Sequence, residues 1–320
     1  MAAENQSCGR TEADTEPVRI DLARIPSPII LQGDIRRAYR DPAVLFHAGV
    51  FRLFFTCGER EDDGRIYFRL GASQSRDLVT WTKPRLLTPR DPTLNFSSPG
   101  NVVRHNGRWV LCLQTYPTPG NELFATEDAR LWTMTSADLD TWSAPELLRV
   151  KGPDVPVSEM GRMIDPFLLQ DKDDPRKWWC FYKQNGVSMS WSYDLEHWTC
   201  FGSARSGENV CVLREGDEYW LIHSPANGLG LKRSRDLVHW EDCGLLALPQ
   251  AQWPWAGGRL TAGFVLDMRS HPDIGRFLLF FHGTPVAATA ARETHGEASL
   301  ALAWSDDLRR WDWPGRGIQS

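Results

Sequence analysis

Ser75-Arg-Asp-Leu-Val-Thr-Trp81 is one of five copies of a single seven-residue pattern, Ser-x-Asp-Leu-x-x-Trp. A run in which apolar and polar residues alternate precedes each copy, as in IYFRLGAS around Ser75, and alternation with period two is typical of a β-strand. The Asp side chain can accept hydrogen bonds from the backbone of its own turn, and the Trp opens the next strand. We therefore predict a strand-turn-strand corner here and at the other four copies, residues 136–142, 192–198, 234–240 and 305–311.

The five copies start 61, 56, 42 and 71 residues apart, and self-similarity at such a period indicates repeated supersecondary units. Upstream of each copy lie an apolar strand, a hairpin turn that in most units contains glycine, and a second strand rich in aromatic residues. Five units of about four antiparallel strands each predict an all-β, five-bladed β-propeller with its active site at one end of the central channel. We predict one propeller domain over residues 21–320 and a flexible tail at residues 1–20.

The composition narrows the range of partners and compartments. The net charge of −5 comes from well-mixed acidic and basic residues, which argues against a nucleic-acid partner. No apolar run approaches 18 residues, so we expect no membrane span. The first twenty residues lack the basic start and apolar centre of a signal peptide, and seven scattered Cys show no metal-ligand spacing. We expect a cytoplasmic protein, with a secreted form whose leader has been trimmed as the alternative.

Three acids open the inner strands of different blades: Asp41 in blade one, Asp165 in blade three and Glu208 in blade four. Asp41 and Glu208 each precede a hairpin glycine, Gly49 and Gly216, by eight residues, so we expect them at equivalent places. Side chains at equivalent places converge on the axis of a propeller. Cleavage of a glycosidic bond uses a pair of carboxyl groups, one protonated and one ionised, and a third carboxylate nearby raises the pKa of the protonated one.

With these motifs the chain resembles the five-bladed propeller enzymes of glycoside hydrolase family 43 and the related families 32, 62, 68 and 117. The shared features are the repeated corner, the Asp-Pro strand at Asp41, the Ile-Asp-Pro strand at Asp165 and the Glu-bearing strand at Glu208. The resemblance covers nearly the whole chain from Arg40 onward. It implies Asp41 as general base, Glu208 as general acid and Asp165 as the residue that tunes and orients that acid. It further implies hydrolysis with inversion that removes arabinofuranose, xylose or related sugars from oligo- or polysaccharides.

The chain departs from the family pattern in three places. Glu208 is followed by Asn209-Val210 where family 43 usually has Gly-Pro. Blade five begins Thr261-Ala-Gly-Phe where many members carry a His that holds an axial water or calcium, which argues against an axial calcium. We expect no cofactor and no metal site. The strand of blade one also lacks the Asn-Asp-Pro-Asn pattern of families 32 and 68, which disfavours a retaining fructosidase.

Further polar and aromatic residues near the predicted channel are candidates for contacting the sugar. The planar fork of Arg suits carboxylates and sugar hydroxyls, although the two Arg residues concerned are equally suited to salt bridges between blades. Trp253 and Trp255 are candidates for a stacking wall, with packing between blades four and five as the alternative for one of them. His223 occupies a similar place in blade four and is as readily explained by a buried core position as by a role in the pocket. The predicted substrate-binding residues are Asn101, Arg162, Trp255, Arg259 and His282.

Two other functions remain open on the same fold. One keeps an enzyme but changes its chemistry, to a retaining fructan or sucrose enzyme or to a phosphorolytic one, and phosphate binding would need the basic residues Arg40, Arg162 and Arg259. The other is a propeller that binds carbohydrate or protein without catalysis, because fold does not dictate function. Three acids brought together on the axis argue against a pure binding role.

Overall fold

The computed structural model of the chain describes residues 18–286 and 296–316. These residues form five antiparallel sheets arranged as the blades of a propeller, so the predicted all-β, five-bladed fold is confirmed. Residues 1–17 of the predicted tail lie outside the described residues. Ile20 is buried, and its backbone N–H donates to Oδ2 of Asp273 at 3.0 Å. Short 3-10 helices occupy Leu22–Arg24, Val157–Glu159, Gln250–Gln252 and Pro254–Ala256.

In blades one, three and four, strands that follow one another in the chain lie side by side. The first strand in the chain is β1, Ile29–Leu31. Blade one contains β2 Arg37–His47, β3 Val50–Arg60, β4 Ile66–Ser75 and β5 Arg85–Leu86. Blade two contains β6 Phe96–Ser97, β7 Val102–His105, β8 Arg108–Thr115, β9 Leu131–Ser136 and β10 Glu146–Leu147. Blade three contains β11 Ile164–Gln170, β12 Trp178–Lys183, β13 Val187–Ser192 and β14 Thr199–Ala204. Blade four contains β15 Glu208–Glu215, β16 Glu218–Ser224, β17 Gly230–Ser234 and β18 Glu241–Leu245. Blade five contains β19 Arg259–Met268, β20 Arg276–Thr284 and β21 Ser299–Ser305.

Strand β1 closes the ring, because it supplies the outer strand of blade five. It pairs antiparallel with β21, with Ile29 opposite Ala301 and Leu31 opposite Leu300. The last blade is therefore built from both ends of the described chain, which ties blade one to blade five. Three residues are too few to show an alternating pattern, so the sequence does not predict this strand.

The turns of the five repeated corners are built as predicted, and their hydrogen bonds explain the motif. The fifth copy differs in being followed by an isolated β-bridge at Asp312 instead of a strand, because β1 is the outer strand of blade five. In blade one the Ser75 hydroxyl accepts the Leu78 N–H (2.9 Å), and Asp77 Oδ1 accepts the N–H groups of Val79 (2.9 Å) and Thr80 (2.7 Å). Leu78 adopts a left-handed backbone with φ of 63°, and the corresponding Leu of every other copy does the same. Ser and Asp satisfy the backbone of a sharp turn, which is why these residue types recur there.

The apolar core lies between the blades and is filled largely by the second strands. Phe54, Phe55, Phe181, Phe280 and Phe281 lie on these strands and are almost completely buried. Leu and Val of the neighbouring first and third strands pack against them in one continuous cluster. Within the described residues no helix is long and apolar enough to span a membrane.

Candidate active site

One residue near the start of the inner strand of every blade has a left-handed backbone conformation. These residues form a ring, which we call the bulge ring, and their φ angles lie between 43° and 55°. In blades one, three, four and five a break in the pairing register marks a β-bulge at the same point. Positive φ is uncommon for residues other than glycine, and such strain is concentrated at functional sites. The members of the bulge ring are Asp41, Ser98, Asp165, Asn209 and Ala262.

Side chains of the preceding blade hold the backbone of this ring in place. Four of the five N–H groups donate to an acceptor near the end of the second strand of the blade before. These bonds run from Asp41 to His282 Nδ1 (3.1 Å), from Ser98 to Thr56 Oγ1 (2.7 Å), from Asp165 to Gln114 Oε1 (2.5 Å) and from Ala262 to Ser224 Oγ (2.7 Å). In blade three the corresponding position is Lys183, which cannot accept a hydrogen bond.

The bulge ring corrects the predicted equivalence of Asp41 and Glu208. Arg40 pairs with Thr56 immediately before the bulge of blade one, and Glu208 pairs with Ser224 immediately before the bulge of blade four. Asp41 is therefore equivalent to Asn209, and Glu208 is equivalent to Arg40. The count of eight residues to the hairpin glycine was misleading, because the glycine occupies the second place of one hairpin turn and the first place of the other.

The ring opens into a cavity that contains about 590 Å³ of empty space. Asp41, Asp165 and Glu208 all line it, so the structure brings the three predicted acids together. Its wall combines these acids with guanidinium groups, hydroxyls and aromatic rings, a composition suited to a polar ligand with apolar faces. The remaining lining residues are Arg40, Thr56, Phe68, Ser97, Ser98, Gln114, Tyr116, Phe124, Arg162, Ile164, Asn209 and Arg259.

Asp41 is fixed from two sides. Its backbone N–H donates to Nδ1 of the buried His282, and the Thr56 hydroxyl donates to its Oδ2 at 2.8 Å. His282 therefore presents an unprotonated Nδ1 to the backbone. About a seventh of the Asp41 side chain is exposed, which leaves the carboxylate accessible from the cavity.

Asp165 is buried, and burial raises its pKa to about 7, with the negative charges of Glu208 and Asp41 adding to the effect. Hydrogen bonds act in the opposite direction. The Ser98 hydroxyl donates to Oδ1 at 2.8 Å, and Asn209 donates from its backbone N–H to Oδ2 (3.3 Å) and from its amide to Oδ1 (3.0 Å). Asp165 thus ties three blades together, and its carboxyl group keeps its proton to a higher pH than an ordinary Asp does.

Glu208 lies between two cations. Nη2 of Arg259 donates to its Oε1 at 2.8 Å, and the Lys183 ammonium lies 3.4 Å from its Oε2. About 29% of the Glu208 side chain is exposed, more than that of Asp41 or Asp165. The other blades carry a hydrogen-bond acceptor at the position of Lys183. Because Lys183 cannot accept a hydrogen bond, the Asn209 N–H donates to Asp165 instead, and the Lys183 ammonium lies beside Glu208.

The other predicted contact residues divide into two groups. Arg162 and Arg259 line the cavity. Asn101, Trp255 and His282 do not line it. The Asn101 amide donates to the Leu168 carbonyl at 2.7 Å, which links blades two and three. His282 is almost fully buried and acts behind Asp41.

Trp255 belongs to an aromatic stack away from the cavity. Its ring stacks on that of Trp253 with centroids 5.3 Å apart, and Trp253 stacks in turn on Phe281 at 5.7 Å. His223 is also buried outside the cavity, where its Nδ1 accepts the Gly207 N–H at 3.1 Å. Burial, together with the charge of Lys232, lowers the pKa of His223 to about 4, so it is a neutral core histidine.

Sequence reasoning missed Thr56, Gln114, Tyr116 and Lys183. Thr56, Gln114 and Lys183 share one signal, since each is near the end of a second strand and pairs with the residue before a member of the bulge ring. Aligning the blades on that position would have selected them. Tyr116 follows the end of its strand, and burial raises the pKa of its hydroxyl, which stays protonated at neutral pH.

In residues 18–286 and 296–316 no three His, Cys, Asp or Glu side chains form a group that could hold a metal ion. At the bulge ring, blade five contributes Ala262, which has no ligand atom in its side chain. The described donors therefore do not fit an axial calcium.

No protein-family model and no curated protein matches the sequence. Solved structures do match it. An exo-1,5-alpha-L-arabinanase from a bovine ruminal metagenomic library is 15% identical, with 88% of this chain and 99% of that chain covered and a TM-score of 0.57. A thermostable family-43 glycoside hydrolase is 12% identical, covers 90% and 96%, and gives a TM-score of 0.59.

A family 117 glycoside hydrolase from the marine bacterium Zobellia galactanivorans is 15% identical, with 89% of each chain covered and a TM-score of 0.63. At such identities the likeness concerns the fold. The predicted resemblance is confirmed at that level: the chain has the five-bladed propeller fold found in glycoside hydrolases of families 43 and 117.

Proposed function

We propose that this protein is a glycoside hydrolase that removes terminal furanose or pentose sugars from oligo- or polysaccharides with inversion. The observation that carries the proposal is the convergence of three carboxyl groups from blades one, three and four on one cavity. A protein that only binds sugars has no need to hold a buried acid whose pKa is raised to about 7 beside two further acids. The solved structures with this fold include an exo-arabinanase, which agrees with the sugar class.

In the proposed reaction Glu208 is the general acid and Asp41 the general base. Glu208 gives a proton to the departing glycosidic oxygen while Asp41 takes a proton from a water on the opposite face of the sugar. The water oxygen bonds to the anomeric carbon as the glycosidic bond breaks, so configuration at that carbon inverts. Thr56 and His282 hold Asp41 from behind, and Arg259 orients the Glu208 carboxyl group.

Asp165 is a positioning residue in this scheme. Its hydrogen bonds to Ser98 and Asn209 fix the neighbouring inner strands, and its charge opposes a second negative charge in the cavity. Binding of substrate displaces water and lowers the local dielectric, which strengthens this repulsion. Asp165 therefore favours delivery of a proton to the departing oxygen.

Turnover on a panel of p-nitrophenyl glycosides tests the proposal, with α-L-arabinofuranoside, β-D-xyloside, β-D-galactofuranoside and β-D-fructofuranoside as the first substrates. We expect Asp41→Asn and Glu208→Gln to lower kcat at least about 100-fold, the typical contribution of general acid–base catalysis. The exposed Asp217→Asn is the matched control and should leave kcat unchanged. Full activity in either cavity variant would refute the assignment, and NMR of the first-formed sugar anomer tests inversion.

A phosphorolytic enzyme is the second candidate, favoured by the guanidinium groups of Arg40, Arg162 and Arg259 in the cavity wall. Phosphate would then replace water as the nucleophile, and the product would be a sugar 1-phosphate. Turnover with and without inorganic phosphate separates the two reactions, because hydrolysis does not require phosphate. A retaining enzyme would yield a product with unchanged anomeric configuration in the same NMR experiment.

A further inference from the structure

Several cationic side chains are gathered at the cavity. Arg40, Arg162 and Arg259 line it, and Lys183 lies beside it on Glu208. Two of these cations, Arg259 and Lys183, contact Glu208. The cations are gathered here although the net charge of the chain is −5. A group of cations at one cavity of an acidic protein is suited to an anionic ligand.

Arg162 is built into the wall by its backbone. The Gln184 amide donates to the carbonyl oxygens of both Met160 and Arg162 at 3.1 Å, and the buried Arg130 donates to the carbonyl between them at 3.0 Å. Met160 and Met163 on either side are fully buried. The backbone of Arg162 is therefore held in one place. This reduces the conformational entropy that its long side chain loses when a ligand binds.

The guanidinium of Arg162 has no acidic partner in residues 18–286 and 296–316. Its side chain lies over the Tyr116 ring, at 5.9 Å from the ring centroid, which is near the limit of a cation–π interaction. The charges of Arg162 and Arg40 both act on the Tyr116 hydroxyl, so the two guanidinium groups face the same part of the cavity. Arg40 occupies in blade one the place that Glu208 occupies in blade four.

We propose that the substrate carries a carboxylate, as a uronic acid residue does, and that Arg162 binds this carboxylate beside Arg40 and Tyr116. The inference deepens the proposed glycosidase function and rests on it. The planar fork of Arg matches a carboxylate with two parallel hydrogen bonds. A phosphate or sulfate group offers similar oxygens, but a doubly charged phosphate meets stronger repulsion from Asp41 and Glu208 in the same cavity than a singly charged carboxylate does.

Binding of small ligands tests the inference without requiring turnover. Isothermal titration would compare D-glucuronate with D-glucose and D-galacturonate with D-galactose, each pair differing only in the carboxylate. We expect a uronate to bind at least about 10-fold more tightly than its neutral partner, the effect of a charge-assisted hydrogen bond. Arg162→Gln should remove this preference, while Arg162→Lys should retain part of it because the charge remains. Arg235→Gln, on the exposed surface of blade four, is the matched control and should retain all of it.

A second measurement uses turnover. Uronate-containing oligosaccharides and the same preparations after reduction of their carboxyl groups would be compared as substrates of the wild type. We expect the reduced preparations to have a higher KM, and the difference to vanish in Arg162→Gln. Equal binding of charged and neutral sugars, or equal weakening of both by Arg162→Gln, would overturn the inference even if the enzyme hydrolyses neutral substrates.

Inorganic phosphate and sulfate are included as ligands to identify the anion. Phosphate-dependent turnover together with phosphate binding that requires Arg162 would assign the cations to phosphate and overturn the carboxylate proposal. Uronate binding without turnover on any glycoside would sustain carboxylate recognition and count against the proposed hydrolase, so failures of the two proposals are distinguishable. Thermal unfolding of each variant shows that a loss of binding is not a loss of folding.

Discussion

Replacing Asp165 by Asn should stabilise the fold at alkaline pH relative to acidic pH. Asp165 has a pKa near 3.8 in the unfolded chain and about 7 in the folded protein, mainly because of burial. Between these pH values the unfolded chain loses a proton that the native state keeps, so the free energy of unfolding falls as pH rises and levels off above about pH 7. Asn resembles the protonated acid and has no proton to lose.

The size of the effect follows from the change in pKa. A change from 3.8 to about 7 is roughly three pKa units, and each unit corresponds to about 1.36 kcal/mol. The upper limit is therefore about 4 kcal/mol, and about 2 kcal/mol is a cautious expectation because Glu208 and Asp41 titrate together with Asp165. We expect the stability of Asp165→Asn, measured relative to wild type, to rise by this amount from pH 4 to pH 8.

Urea unfolding followed by tryptophan fluorescence measures this difference at several pH values. Asp138→Asn is the control, because the backbone N–H groups of Thr141 and Asp140 lower the pKa of Asp138 to about 2, so Asp138 titrates below pH 5 in both the folded and the unfolded chain. Its difference from wild type should not change between pH 5 and pH 8. If the Asp165→Asn difference is also constant to within about 0.5 kcal/mol, burial of the acid does not disfavour its charge, and the reasoning fails.

Three further predictions concern the stability of the fold. Gly100→Ala would place a Cβ 1.6 Å from a backbone oxygen of blade three, so it should lower the free energy of unfolding by about 3 kcal/mol or more in a chemical denaturant. Gly202→Ala is its control, because the added Cβ meets nothing within 4 Å, and it should change the free energy of unfolding by no more than about 0.5 kcal/mol. His282→Leu removes the acceptor of the Asp41 N–H, so it should lower the free energy of unfolding by about 1–3 kcal/mol and should also lower kcat. His282→Asn should restore part of both quantities. Asp77→Ala removes two turn hydrogen bonds and should lower stability by about 1–2 kcal/mol with unchanged kcat; equal effects on stability and kcat would contradict a purely local role.

The bulge ring explains why catalytic candidates recur at the start of inner strands. A bulge allows two consecutive side chains to face the axis instead of one, and in blades one, three and four such a pair lines the cavity. In blade one the pair is Arg40 and Asp41, and in blade four it is Glu208 and Asn209. Acids from both positions of the pair can therefore meet in one cavity although they are not equivalent in register.

Local patterns in the sequence were sufficient to predict the fold and the three acids. The Ser-x-Asp-Leu-x-x-Trp corner satisfies its own backbone through bonds between residues two or three apart, so its meaning does not depend on the rest of the protein. Alternation of period two identified the third strands for the same reason. An acid followed by proline at the head of an apolar strand located Asp41 and Asp165.

The tertiary structure alone decided which residues meet across blades. The closing partner of blade five is β1, far away in the chain, and the partners of Glu208 are Lys183 and Arg259, from the two neighbouring blades. The raised pKa of Asp165 likewise depends on burial and on charges brought from blades one and four. These are contacts between residues distant in sequence, and no local pattern encodes them. Periodicity predicts the elements of a repeat, whereas the register of their bulges and the identity of their neighbours are settled only when the ring closes.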